Sequence, residues 1–101
     1  MTQDILEKVD PRVQHAISAV LRKRFGDYGF RNAHVEAGLD HDGDPILLID
    51  AYYDFSKRPV DTSAMLGLTR ALREVLQTLG ETRFPHVRHQ FDDRQKVVRE
   101  T

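Results

Sequence analysis

The carboxylates of Asp40-His41-Asp42-Gly43-Asp44 recur at alternate positions, the kind of spacing that gathers oxygens around a hard cation. An EF-hand loop counted from Asp40 would need glycine in its sixth place and a bidentate glutamate in its twelfth, where Pro45 and Ala51 stand. The stretch therefore reads as a solvated hairpin turn. The 5 histidines raise the question of a softer metal. His86 and His89 are three apart, a spacing that sends them to opposite faces of a strand. His34 and His86 can meet across strands, but spacing gives neither a carboxylate helper. No metal and no cofactor are expected. Nucleophiles are equally sparse: Ser18 falls within a helical pattern, Ser56 in a loop, and Ser63 in a helix's first turn, where local hydrogen bonding accounts for it. No Gly-x-Ser-x-Gly elbow, phosphate-cradling glycine loop or His-Glu-x-x-His is present. The adjacent acids Asp92 and Asp93 close a strand near the polar tail, where solvation is expected instead of the burial that tunes a general acid. An enzyme ranks third among the functional readings.

Composition narrows the classes further. A chain of 101 residues holds one domain with one core, with 10–91 expected to fold and 92–101 to form a polar tail. With 15 Lys plus Arg against 16 Asp plus Glu, the net charge of -1 lacks the basic excess of a general polyanion binder. The absence of cysteine excludes disulfides, a thiolate nucleophile and Cys-ligated zinc. The longest apolar run is Ile46-Leu47-Leu48-Ile49, far short of a membrane span. The acidic start Met1-Thr2-Gln3-Asp4 carries no apolar segment of the signal-peptide kind. A soluble cytoplasmic protein is expected.

The elements that must position any site follow from hydrophobic period. Thr2 can cap a first turn to Val9, and Asp10-Pro11 restarts the chain as N-cap and first helical residue. Val13, Ala16, Ile17, Val20, Leu21 and Phe25 then make one helical stripe over 11–25, with Gly26 as its C-terminal glycine. Residues 31–39 switch to period two, with Asn32, His34, Glu36 and Gly38 on one face. Asp42-Gly43 predicts a hairpin into a second strand over 46–55. Ser56 to Val60 reads as a loop, and Asp61 or Thr62 can cap a helix over 62–79. Met65, Leu68, Leu72, Val75, Leu76 and Leu79 form its stripe, and Gly80 ends it. Residues 84–91 alternate as a last strand, and Val97-Val98 can attach a further turn. The order helix-strand-strand-helix-strand predicts an α+β two-layer sandwich, two helices on one face of a three-stranded sheet.

The uncovered face would carry Asn32, His34, Glu36, Asp50, Tyr52, His86 and Arg88. Tyr52, His86 and Arg88 are the expected partner-binding residues, because tyrosine and arginine combine large contact area with directed hydrogen bonds. Glu36 and Asp50 on that face oppose phosphate. Arg22-Lys23-Arg24 are the nucleic-acid candidates, although cations in a helix's last turn also complement its dipole. The small residues Ala64, Gly67, Ala71 and Thr78 form a row that either lets the second helix approach its own sheet or makes a homodimer seam at Gly67–Ala71.

Several stretches resemble ribosome-binding factor A, a small cytoplasmic protein with a KH-like RNA-binding fold. Pro85-His86-Val87-Arg88-His89-Gln90-Phe91-Asp92 is similar to that family's last strand, Leu68-Thr69-Arg70-Ala71 with Val75 to Leu79 to its second helix, and Val35-Glu36 with Asp40 to its first hairpin. The resemblance implies binding to RNA or the ribosome. The chain departs from the family in its charge and at Ala71-Leu72-Arg73, where the family's helix is kinked by Ala-x-Gly. It also lacks the Gly-x-x-Gly loop of ordinary KH domains. The leading expectation is a non-catalytic protein that docks on another protein, as an antitoxin, immunity protein, adaptor or assembly factor does; RNA or ribosome binding is second.

Overall fold

The computed structural model describes residues 9–54 and 62–91. The expected first turn lies almost wholly outside these residues, as do the loop Ser56–Val60, the cap at Asp61, the pair Asp92-Asp93 and the turn at Val97-Val98. The elements are α1 (Pro11–Phe25), a 3-10 turn (Gly26–Tyr28), β1 (Phe30–Leu39), β2 (Pro45–Tyr53), α2 (Thr62–Met65), α3 (Leu68–Thr78) and β3 (Phe84–Phe91).

Helix α1 starts as its first residues dictate. The Asp10 carboxylate accepts the Arg12 amide at 2.8 Å and Pro11 opens the helix. Hydrogen bonds from the Arg12 guanidinium, and after them the amide bond, hold the Asp10 carboxyl below its ordinary range. The stripe Val13, Ile17, Leu21, Phe25 is buried. Gly26, expected to turn the chain, stays in right-handed helical geometry, and the left-handed residue is Gly29 at φ 93°, after the 3-10 turn. The hairpin turn is tied by the Asp40 carboxylate, which accepts the amides of Asp42 and Asp44 at 2.9 and 2.8 Å.

The second helix is not the single rod expected over 62–79. It breaks at Leu66-Gly67, with Gly67 at φ 82°, and resumes as α3. Arg24 of α1 donates to the Leu66 carbonyl at 2.7 Å, and a Cβ at Gly67 would lie 3.4 Å from the same guanidinium. Gly67 therefore serves a left-handed break clasped by Arg24. The row from Ala64 through Gly67 to Ala71 does not run along one continuous helix. The C-terminal end follows expectation: Glu81 donates its amide to Leu76 and Gly80 to Gln77, a glycine-closed cap.

β1 pairs antiparallel with β2, and β2 pairs parallel with β3, giving the order β1-β2-β3. This is the expected α+β sandwich with two helices over one face of a mixed sheet. Val35, Leu47, Ile49, Ala51 and Tyr53 close against Ile17, Leu21, Phe25, Leu72 and Leu76 to form the core. Among the described residues no helix is long and apolar enough to cross a membrane.

Candidate functional site

The sheet's second face is left without a helix, and its register makes a grid. Across β1, β2 and β3 the rows read Asn32–Tyr52–Gln90, His34–Asp50–Arg88, Glu36–Leu48–His86 and Gly38–Ile46–Phe84. The strand period that sends Leu47, Ile49, Ala51 and Tyr53 into the core sends these residues outward. Tyr52, His86 and Arg88, the expected partner-binding residues, thus share one face on adjacent strands, with Arg88 diagonal to Tyr52 and directly between the Tyr52 and His86 rows.

The centre of the grid is an ion pair. Asp50 is 7% exposed, the one charged residue buried among those described. Arg88 grips it with two parallel bonds, Nε to Oδ1 and Nη2 to Oδ2, both 2.9 Å. Gln90 adds a bond from Nε2 to Oδ1 at 3.3 Å. The planar fork of arginine matches a carboxylate in two places at once, which lysine cannot do. Arg88 keeps much of its surface in water. Around this pair, His34 lies 3.7 Å from Glu36 and Arg31 lies 3.4 Å from Asp54. His86 packs edge-on against the exposed ring of Phe84, centroids 5.4 Å apart, and Arg73 of α3 covers that ring at 5.3 Å. Gly38 has no side chain because Leu48 occupies its place: a Cβ there would stand 2.8 Å from Leu48 Cδ1.

The order and register of the strands change two sequence expectations. His34 and His86 do not meet, because β2 stands between them and two strand spacings separate them by about 10 Å. Asp50 is no bare repellent of phosphate, because Arg88 neutralises it. The Arg88 partnership is the functional feature that sequence reasoning missed. Its one visible sign is an acid placed in the middle of an apolar strand.

His89 was also passed over, though it alternates with Val87 and Phe91. It faces the helices and shares a 2.7 Å hydrogen bond between Nδ1 and the Tyr53 hydroxyl. Its ring packs against Phe25, Tyr53 and Phe91 at centroid distances of 5.8, 5.6 and 6.1 Å. Burial lowers the His89 pKa and raises that of Tyr53, so both are neutral near pH 7.

The nucleic-acid candidates sit in the helix layer, away from this face. Arg22 lies over the Phe30 ring at 5.3 Å, Arg24 clasps Leu66, and Lys23 is exposed. A separate open groove of about 840 Å³ runs beside the helix break, lined in part by Leu66, Gly67, Arg70, Arg73 and Thr82. Asp40, Asp42 and Asp44 each bring one oxygen within 4.8 Å of the others, while Asp40 is engaged with the turn amides. Comparison with protein-family models, with curated proteins and with solved structures finds no match for this chain.

Proposed function

We propose that this is a non-catalytic cytoplasmic binding protein that docks on another protein through the open face of its sheet. The observation that carries the reading is the internal charge balance of that face. Arg88 is matched by Asp50 and Arg31 by Asp54, and Glu36 adds an anion beside His34, so the face offers a polyanion no field of unmatched cations. What it offers instead is a polar and aromatic mixture of Tyr52, His86, Asn32 and Gln90 beside the exposed Phe84 ring, a composition suited to a protein interface. The strands beneath are stiffened by the core, so docking orders little new chain.

The test compares the tagged protein, purified from its native cell at moderate salt, with its Tyr52→Ala/His86→Ala variant. A stoichiometric protein partner should accompany the parent and be lost at least about tenfold from a variant that melts normally. Retention of the partner by that variant overturns the reading. Arg88 is left in place because its loss also uncovers Asp50.

A second reading, RNA or ribosome binding in the manner of KH-like domains, is favoured by one separate feature. The second helix is broken at Gly67, with Arg70 and Arg73 lining the groove alongside. A high ratio of 260 to 280 nm absorbance in the purified parent, abolished by Arg70→Ala/Arg73→Ala, would favour it over protein docking.

A further inference from the structure

The two edges of the sheet are finished differently. On β1 the register shifts between Phe30 and Asn32, a bulge that twists that edge away. Gln14 of α1 reaches over and donates to the Ala33 carbonyl at 2.8 Å. β3 shows neither device. Among the described residues it pairs only with β2, in unbroken register from Phe84 to Phe91, and carries no lysine and only Pro85 near its start. Its helix-side residues Val87, His89 and Phe91 are each only half-buried, whereas their β2 neighbours Ile49, Ala51 and Tyr53 are closed. An edge of this kind is a template for another strand.

We propose that the free edge of β3 pairs antiparallel with β3 of a second copy of this chain, joining the two sheets about a twofold axis at His89. Three observations select that occupant and that register. A twofold axis normal to the sheet keeps residues of like face opposite each other, so the numbers of facing residues must sum to an even value. Placing the axis at Arg88 sets two arginines face to face. Placing it at Val87 sets His86 against Arg88 and puts Pro85, which has no amide hydrogen, inside the paired segment. Placing it at His89 sets Val87 against Phe91 and Arg88 against Gln90, and leaves Pro85 outside. Val87 and Phe91 are a β-branched and an aromatic residue, a favourable cross-strand pair. Gln90 can accept from the partner's Arg88 while each arginine remains neutralised by its own Asp50. The two His89 rings meet uncharged, because burial in the aromatic cluster already disfavours their protonation. The half-exposed Val87, His89 and Phe91 gain the cover that α3 does not give them, and the open grids of two copies become one surface.

The chain has no cysteine, so single introduced thiols report the geometry directly. In the full chain, His89→Cys should link two copies under oxidised glutathione, since residues directly opposite across an antiparallel pair lie within disulfide reach. His86→Cys should not, because the axis places the two thiols six positions apart. Independently of any cysteine, sedimentation equilibrium of the parent should show a monomer–dimer equilibrium. Gln90→Lys, which faces the partner's Arg88, should raise its dissociation constant by about tenfold while the dilute monomer melts as the parent's does. A parent that sediments as monomer throughout, equal linking at positions 86 and 89, or a dimer indifferent to Gln90→Lys overturns the proposal.

Discussion

Both faces of the central strand bury side chains, by opposite means. On one, Leu47, Ile49, Ala51 and Tyr53 are covered by the apolar stripes of α1 and α3. On the other, Asp50 is covered by an arginine and a glutamine that reach across from β3 and remain partly in water themselves. Apolar closure is non-directional and scales with the area removed from water. Ionic closure is directional and breaks even only when the geometry is good, because two charges must first lose hydration. The helix side therefore holds the fold, while the open side holds a particular arrangement of side chains. That division leaves the open side able to change its side chains without loss of the core.

The largest effect that tests this division is Phe25→Ala. Phe25 is fully buried at the end of the α1 stripe and makes edge contacts with Tyr28, Tyr53 and His89. Its removal should destabilise the chain by about 3–5 kcal/mol in urea unfolding. A loss near that of a surface change would show that the helix layer is not the seat of stability.

A middle-sized effect separates the members of the ion pair. Arg88→Ala removes both short bonds from a carboxylate that is 7% exposed in the parent and leaves it partly uncovered with only the long Gln90 bond, and should cost about 1–3 kcal/mol. Asp50→Leu leaves an arginine that water can solvate and puts an apolar side chain beside Leu48, so it should be within about 1 kcal/mol of the parent or more stable. Equal losses in the two unfolding curves would mean that the pair stabilises by attraction, and the asymmetry argued from burial would fall. An idle, exposed Arg88 would have changed stability by no more than about 0.5 kcal/mol. The Asp50 contact removes that simple comparison, which is why Tyr52 and His86 carry the binding test.

The asymmetry also marks where sequence reading stops. The stripes of α1 and α3 and the alternation of β3 are local signals, because period alone decides which side chains share a face. The composition of the open face followed from the same period. The break at Gly67 was hidden because Met65 and Leu68 keep a three-residue spacing across it, so hydrophobicity reads straight through. The Arg24 clasp on Leu66 joins residues 42 apart, and nothing local announces it. Alternation likewise cannot say which strand β3 joins or in which direction. The parallel register with β2 decides that Arg88 meets Asp50, and the strand order keeps His34 and His86 apart. Pairing partners are set by the crossover and by packing of the whole layer, which no spacing records.

The smallest effect concerns the one titratable side chain of β3 that faces inward. His89 is half-buried among Phe25, Tyr53 and Phe91, and burial holds its pKa below the ordinary 6.5. Above pH 6.5 the ring is neutral in both the folded and the unfolded chain, so its environment contributes fully. As the pH falls below 6.5 the unfolded chain takes up a proton first, and stability declines until the folded ring also protonates at its lower value. The Tyr53 hydroxyl does not reverse the direction, since desolvation dominates the shift. The loss stays below that of Arg88→Ala because the ring keeps partial access to water. His89→Phe preserves the aromatic packing without a titrating group, so the difference between parent and variant unfolding curves should narrow to a constant above pH 6.5 and change only below it. A difference that is flat from neutral pH down to mild acid would show that the inner side of β3 is wet, and that the helix layer covers this edge no better than the open face is covered.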